Sequence, residues 1–219
     1  MTNYTDRWVP GQDAPITVLT HHYCGSLDVI TDSERRSLRS IGITAKEAAV
    51  KTDGLLRHLL ELPSVRVLHA VHPTADAPPV PHVVSSGCRL VFVESVAWPP
   101  GRYATTSAGR IYCDGVYIGQ SVGPLVTAIR RWQASLPGGH WVSAVVVVHS
   151  MADGEIALPA ASGQDLVWTR SWDAVRDIRA RLPHQLKPAS VAAITALLRA
   201  AAGLVGHSLD AGFAQPNAR

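Results

Sequence analysis

Residues 80–98 read VPHVVSSGCRLVFVESVAW, and this stretch decides the fold. Two runs rich in β-branched residues flank the short segment SSG at 85–87, which is typical of a β-hairpin with a tight turn. Upstream, SVRVLHAVHP at 64–73 alternates in polarity, which predicts a further strand. Downstream, WVSAVVVVHS at 141–150 is β-branched on both faces, and this predicts a central strand buried on two sides.

Helical patterns surround these strands. Thr44 is followed three residues later by Glu47 in TAKEAAVKTDGLLRHLLELP, a capping box that predicts a helix up to Pro63. The segment DSERRSLRSIG at 32–42 begins with an N-cap type residue and ends at glycine, which predicts another helix. The same reasoning predicts helices over 124–136, 171–181 (capped by Ser171) and 188–205, and short strands within 98–119 and at 166–169. ITVLTHHYC at 16–24 is compatible with one strand or with a segment laid over the core.

Composition supports one folded domain. The chain has 219 residues, of which 47% are hydrophobic and 17% charged, enough apolar surface for a sizeable core. We expect an N-terminal extension (1–40) packed on the core, one α/β domain (41–206) and a flexible tail (207–219). The net charge of +3 permits a polyanionic partner without implying one.

The sequence also bears on compartment. The opening MTNYTDRWVPGQDAP lacks the pattern of a signal peptide, and no apolar run is long enough to predict a membrane span. The three cysteines, Cys24, Cys88 and Cys113, are widely spaced, which argues against a disulfide framework and against a zinc site built on thiolates. We therefore expect a cytoplasmic protein without a membrane partner.

The stretch VPHVVSSGCRLVFVESVAWPPGRY at 80–103 resembles the core of the nuclease-related domain (NERD) family, a branch of the restriction-endonuclease-like fold. The matching positions are Glu47 on the helix, RVLHAV on the strand, His82 at the family's histidine, Gly87 at the turn, Glu94 at the acid, Trp98 at the aromatic and Gly101 at the later glycine. Similarity in element order extends over about residues 40–200. The resemblance implies a single mixed-sheet α/β domain flanked by helices.

Two departures from the family pattern bear on activity. In active members two acids hold a divalent metal, and a lysine orients water or stabilises charge developing at phosphorus. Here Pro81 stands at the first acid position and Val96 at the lysine position. Neither side chain can do that work, so the resemblance predicts a degenerate site that retains Glu94, Glu47 and His82, with no cofactor and no metal. The expected function is a catalytically impaired nuclease-like domain that binds DNA or a protein partner.

Two alternatives stay open at this point. Glu47, His82 and Glu94 could form a rearranged active site that binds Mg²⁺ or Mn²⁺ weakly, with Asp76 close by in the loop and Lys46 or Lys51 replacing the lysine. The chain could instead be a structural interaction subunit that binds no nucleic acid. An edge strand in the hairpin region would allow a homodimer.

Basic residues are the candidates for contact with nucleic acid: Arg35, Arg36, Arg39, Lys46, Lys51, Arg130 and Arg131. Such residues track phosphates only where they converge on one groove. Acidic residues, Asp53 among them, interleave with them and favour a solvated helix face instead. His69 and His72 are interpreted as ordinary residues at a strand end, and Trp98 and Trp132 suit a core or a base-stacking surface equally well.

Overall fold

A six-stranded sheet forms the centre of the computed structural model, which describes residues 23–33, 35–75, 77–160 and 165–201. Its strand order is β1-β2-β3-β4-β8-β10, and a second sheet has the order β7-β6-β5-β9. The strands are β1 Tyr23–Cys24, β2 Arg66–Val71, β3 Val80–Ser86, β4 Arg89–Trp98, β5 Gly101–Thr105, β6 Arg110–Cys113, β7 Val116–Ser121, β8 Trp141–Ser150, β9 Ile156–Ala157 and β10 Leu166–Arg170. Both sheets mix parallel and antiparallel pairs, so the predicted α/β class is confirmed.

The predicted hairpin is present as β3 and β4. The two strands pair antiparallel from His82–Val93 to Ser86–Arg89, and Gly87 makes the turn with φ +56°. A left-handed backbone of this kind favours glycine, which is why the turn falls at this residue. The resulting ladder places the His82 and Glu94 region at the centre of the sheet.

Strand β8 confirms the prediction of a doubly buried strand. It pairs parallel with β4 over ten residues, from Arg89–Trp141 to Trp98–Ser150, and parallel with β10 on its other side. The residues at 142–149 are all buried. The β-branched side chains of β8 therefore pack into the hydrophobic layers on both faces of the sheet.

Four helices cover the sheet within the described residues: α1 Ala45–Leu60, α2 Gly123–Ser135, α3 Ala174–Arg181 and α4 Val191–Ala200. The predicted capping box of α1 is confirmed, because the Glu47 N–H donates to Thr44 Oγ1 (3.1 Å) and the Thr44 N–H donates to Glu47 Oε2 (2.7 Å). None of these helices is both long and apolar enough to cross a membrane.

The sheet separates two hydrophobic layers. Leu56 and Leu59 of α1 and Ile178 of α3 pack with Val91 and Val93 of β4 on one face. Leu125, Ile129 and Trp132 of α2, Leu197 of α4, Tyr103 and Ile111 of the small sheet, and Phe92, Val96 and Trp98 of β4 form the core on the other. Trp98 and Trp132 are thus core residues, and Trp98 stacks on Tyr103 with 4.5 Å between ring centroids.

The helix predicted over 32–42 is wrong: the described residues of this segment form turns and irregular backbone. Within the segment, the N–H groups of Arg35 and Arg36 donate to Ser33, while several other polar groups bond to distant parts of the chain. The Asp32 carboxylate accepts the Ala45 N–H at the start of α1, Ser40 Oγ accepts the Ala97 N–H, and the Arg39 carbonyl accepts Trp98 Nε1–H. These tertiary bonds outweigh a helical propensity that is weak in so short a segment.

Two other boundaries differ from prediction. Ser171 does not cap a helix, because Ser171–Asp173 forms a 3₁₀ turn that precedes α3. Helix α4 is shorter than the predicted 188–205, since Ser190 caps its start and the helix ends at Ala200. The predictions for residues 16–22, Asp76 and the tail at 207–219 lie outside the described residues.

Candidate functional site

A cavity of about 350 Å³ lies on the α2 side of the sheet. Three arginines, Arg35, Arg36 and Arg131, line it together with Glu94. Its remaining lining residues are Ser37, Leu38, Pro73, Thr74, Ala77, Pro78, Val80, Pro124, Leu125, Thr127 and Ala128. Glu94 is the single carboxylate among these described residues, so positive charge predominates in the cavity.

Arg36 and Glu94 form a buried ion pair in this cavity. Arg36 Nη1 lies 3.6 Å from Glu94 Oε1, and the two side chains are 4% and 11% exposed. Arg36 Nε donates to the Thr31 carbonyl (2.9 Å), and Nη2 donates to the Pro79 carbonyl (3.0 Å). The guanidinium therefore has three partners, as a buried charge requires.

The environment of Glu94 acts on its ionisation in two directions. Burial raises the pKa of this carboxyl above its ordinary value, while the Arg36 charge and the N–H of Ser95 oppose the rise. The burial effect is the larger one, so the pKa stays raised. Arg36 is the cation that makes an ionised Glu94 tolerable at this depth.

Three of the seven basic candidates converge on this cavity: Arg35, Arg36 and Arg131. The other four, Arg39, Lys46, Lys51 and Arg130, are exposed and do not line it. Lys46 and Lys51 lie on α1, on the opposite side of the sheet, and Lys46 Nζ bonds to Asp28 Oδ1 (3.0 Å). The basic lining of the cavity therefore includes fewer residues than the seven candidates chosen from the sequence.

The structure does not bring Glu47, His82 and Glu94 together. The Glu47 carboxylate is exposed at the start of α1, where it accepts hydrogen bonds from the N–H and the hydroxyl of Thr44. Glu94 shares a sheet face with Phe92 and Val96, since alternate residues of a strand point the same way. His82 opposes Val93 and contacts α1, on the other face.

The Mg²⁺ or Mn²⁺ ion of the alternative with a rearranged active site does not fit at Glu94. Such ions take oxygen ligands and are held through one or more carboxylates. Arg36 already contacts the Glu94 carboxylate, and Pro81 and Val96 offer no polar side-chain atom. A second cation would have to lie beside the guanidinium in a buried setting, where like charges repel strongly.

A second polar cluster lies under α1 on the opposite face. His69 of β2 and His82 of β3 face each other across the antiparallel pair, with 2.8 Å between their Nδ1 atoms. Asp53 of α1 places Oδ1 3.5 Å from His69 Nε2, and His82 Nε2 lies 3.1 Å from the Ala49 carbonyl oxygen. His69 and His82 are 1% and 0% exposed, and one ligand atom from each of the three residues lies within 4.8 Å of the others.

A hydrogen-bonded chain of polar side chains continues beside this cluster. Ser95 Oγ donates to Thr52 Oγ1 (2.9 Å), and Thr52 Oγ1 lies 2.8 Å from His149 Nε2. Burial and, to a smaller extent, the Lys51 charge lower the pKa of His149 from 6.5 to about 4. His149 is therefore neutral at physiological pH.

Sequence reasoning missed Asp53 and His69. The prediction of a solvated Asp53 is wrong, because this residue is 7% exposed, and His69 is a buried residue rather than one at the rim. One signal was available in the sequence: Asp53 lies four residues after Ala49, on the apolar face of α1. The position of His69 opposite His82 follows from the register of β2 with β3, which only the structure shows.

Comparison of the chain with family models, with curated proteins and with solved structures gives no match. The resemblance to the nuclease-related domain family therefore rests on the residues of 80–103 and on the order of the elements around them. Function has to be inferred from the two polar sites themselves.

Proposed function

We propose that this chain is a nuclease-like domain that has lost cleavage and binds DNA through a phosphate group held at the arginine-lined cavity. The observation that carries the proposal is the position of Arg36. Its guanidinium contacts Glu94, the residue at which the family resemblance places a metal-binding acid. A fixed cation of the protein thus stands beside the carboxylate that would otherwise hold a metal ion.

The electrostatics of the cavity support an anionic ligand. Arg35 and Arg131 are exposed at its rim, while Arg36 lies deeper and is neutralised by Glu94. The two rim guanidinium groups are available to a phosphate, which arginine binds through paired N–H donors. Phosphate contacts of this kind position a protein on nucleic acid without reading its sequence.

The chemistry of the neighbouring positions supports loss of cleavage. Removing one electrostatic catalytic group costs about 10²–10³ in rate, and two of the family's groups are replaced here, by Pro81 and Val96. Glu47 and His82 cannot replace the missing catalytic groups beside Glu94. Glu47 caps the start of α1, and His82 lies under α1 on the other face of the sheet. The rearranged active site considered from the sequence therefore has no support from the geometry.

The test is direct binding and cleavage with fluorescein-labelled single-stranded and duplex DNA. We expect anisotropy to show salt-dependent binding, and we expect no cleavage products with Mg²⁺ or Mn²⁺. Arg131→Glu should weaken binding by about tenfold or more, since it replaces an attraction to phosphate with a repulsion. Arg130→Glu is the matched control: it makes the same change of charge on the same helix, at an exposed residue outside the cavity.

Three results would contradict the proposal. An equal loss of DNA affinity in both variants would mean that binding depends only on the net charge of α2 and not on the cavity. Metal-dependent cleavage that disappears in Glu94→Ala would show an active nuclease. Absence of salt-dependent binding to any nucleic acid, together with retention of a protein partner, would favour the structural interaction subunit.

A further inference from the structure

We propose that Asp53, His69 and His82 form a binding site for a Zn²⁺-like transition-metal ion on the face of the sheet opposite to the arginine-lined cavity. Two imidazoles and one carboxylate form the ligand set of open zinc sites, in which water completes the coordination. The ligands come from α1, β2 and β3, so an ion here would link the helix to the sheet. This inference is independent of the proposed DNA binding.

The tautomers of both rings follow from their backbone contacts. A carbonyl oxygen only accepts hydrogen bonds, so His82 Nε2, 3.1 Å from the Ala49 oxygen, carries the hydrogen. His82 Nδ1 then presents a lone pair, and His69 Nδ1, 2.8 Å away, donates to it. In a singly protonated His69, Nε2 therefore also presents a lone pair, and it does so toward the Asp53 carboxylate.

This arrangement calls for a shared cation. His69 Nε2 and Asp53 Oδ1 are 3.5 Å apart, and their lone pairs repel unless a proton or a metal ion lies between them. Ligand atoms about 2.0–2.1 Å from a tetrahedral Zn²⁺ are about 3.3–3.4 Å from each other. The observed separation is close to that spacing, so these two atoms need to move little to share an ion.

A backbone carbonyl already supports the His82 imidazole in the manner of a metal ligand, and another lies close to His69. A metal-bound histidine usually donates its other ring N–H to a carbonyl or carboxylate, which fixes the ring. Ala49 O does this for His82 Nε2. When His82 Nδ1 turns to an ion, the His69–His82 hydrogen bond breaks, and Pro81 O, 3.4 Å from His69 Nδ1, remains as the acceptor.

The backbone beside the cluster has two unusual features. Ala70, next to His69, has φ +53°, a left-handed conformation that non-glycine residues adopt rarely and that recurs at functional sites. On the other side, Gly25 packs so closely that an added Cβ would lie 2.7 Å from the His69 carbonyl oxygen. Both features fix His69 between β1 and β3.

Arg57 is the charged residue of α1 that lies next to the cluster. The Asp53 side chain is 10% exposed, and Arg57, which is 74% exposed, places Nη2 3.6 Å from Asp53 Oδ2. His149 acts electrostatically on His82 and is itself affected by Lys51. Because most of the Arg57 side chain lies in solvent, it can move aside for an ion that binds to Asp53.

The test is isothermal titration calorimetry of the full chain with ZnCl₂ after treatment with EDTA. We expect one ion per chain. Asp53→Asn and His69→Gln should each weaken binding by more than about 100-fold, since even residues that only support a ligand cost about 10–100-fold. His58→Gln, a change at an exposed histidine of α1, is the matched control and should bind as the unchanged protein does.

Absence of binding, or binding that Asp53→Asn and His69→Gln leave intact, would overturn the proposal. Circular dichroism shows whether the variants fold. Should they unfold, ¹⁵N NMR of histidine-labelled unchanged protein decides: Zn²⁺ should shift His69 Nε2 and His82 Nδ1, and shifts confined to other histidines would overturn the site. Loss of DNA binding in Arg131→Glu would leave these results unaffected.

Discussion

Arg36 and Glu94 are 58 residues apart in sequence, yet their charged groups lie 3.6 Å apart in the core-facing wall of one cavity. Arg36 belongs to irregular backbone before α1, and Glu94 lies in the middle of β4. The pair therefore joins a segment without regular structure to the central sheet. It also determines the charge that the cavity presents to a ligand.

Removal of Arg36 should destabilise the protein severely. Arg36→Ala leaves Glu94 buried without its counterion, and breaking such a pair typically costs about 3–5 kcal/mol. The double variant Arg36→Met/Glu94→Leu removes both charges and should recover most of that loss. Urea unfolding measures both free energies. A cost below about 1 kcal/mol for Arg36→Ala would show that water reaches the carboxylate and that the pair is not buried in solution.

Stability should fall as the pH is lowered from about 6.5 to about 4. The pKa of His149 is lowered from 6.5 to about 4, so the unfolded chain binds a proton more readily than the folded one in this window. The effect amounts to about 3 kcal/mol, present above pH 6.5 and lost by pH 4. His82, whose pKa burial lowers well below its ordinary value, acts in the same direction.

The check on His149 is urea unfolding at several pH values in the presence of EDTA. His149→Gln should flatten the dependence between pH 6.5 and pH 4. His140→Gln, at a histidine that is only partly buried, is the control and should keep the slope. A wild-type slope that His149→Gln does not reduce would assign the effect to other groups.

The capping box of α1 should contribute measurably to stability. Thr44→Ala removes the hydroxyl that accepts the Glu47 N–H and should cost about 1 kcal/mol. Ser171→Ala is a fitting comparison, because Ser171 precedes α3 without capping it, and its effect should stay within about 0.5 kcal/mol. Thermal or urea unfolding gives both values. Equal costs would mean that the Thr44 hydroxyl bond is not formed in solution.

The proposed binding of DNA predicts a salt dependence that identifies the arginines in contact with phosphate. Arg35→Ala should reduce the slope of log affinity against log salt by about 1, the change expected for one lost phosphate contact. Lys51→Ala, on the opposite side of the sheet, should leave the slope unchanged. Fluorescence anisotropy at four or more salt concentrations gives both slopes. Should Lys51→Ala lower the slope and Arg35→Ala not, the DNA would lie against α1.

Much of the fold was predictable because local patterns and tertiary packing agree there. The capping box at Thr44, the turn at Gly87 and the β-branched run at 141–150 each specify one structure. The prediction of a helix over 32–42 is wrong because several donors and acceptors of this segment bond to residues far away in sequence. No window of sequence contains those partners.

The candidate sites were predicted less well than the fold. Glu94 and three of the basic residues do share a cavity, but the sequence could not show that Glu94 and His82 point to opposite faces of the sheet. That separation depends on the register of β3 with β4, which pairs His82 with Val93 rather than with Glu94. Asp53 looked like one more surface charge because its burial depends on how α1 lies on β2 and β3.

The three contacts of Arg36, to Thr31, Pro79 and Glu94, come from three separate parts of the chain. No excised peptide that carries the motif-bearing hairpin alone can reproduce them. In a partially folded chain whose remote segments have not docked, the Glu94 carboxylate of the central strand would lack the cation that accompanies it in the finished molecule.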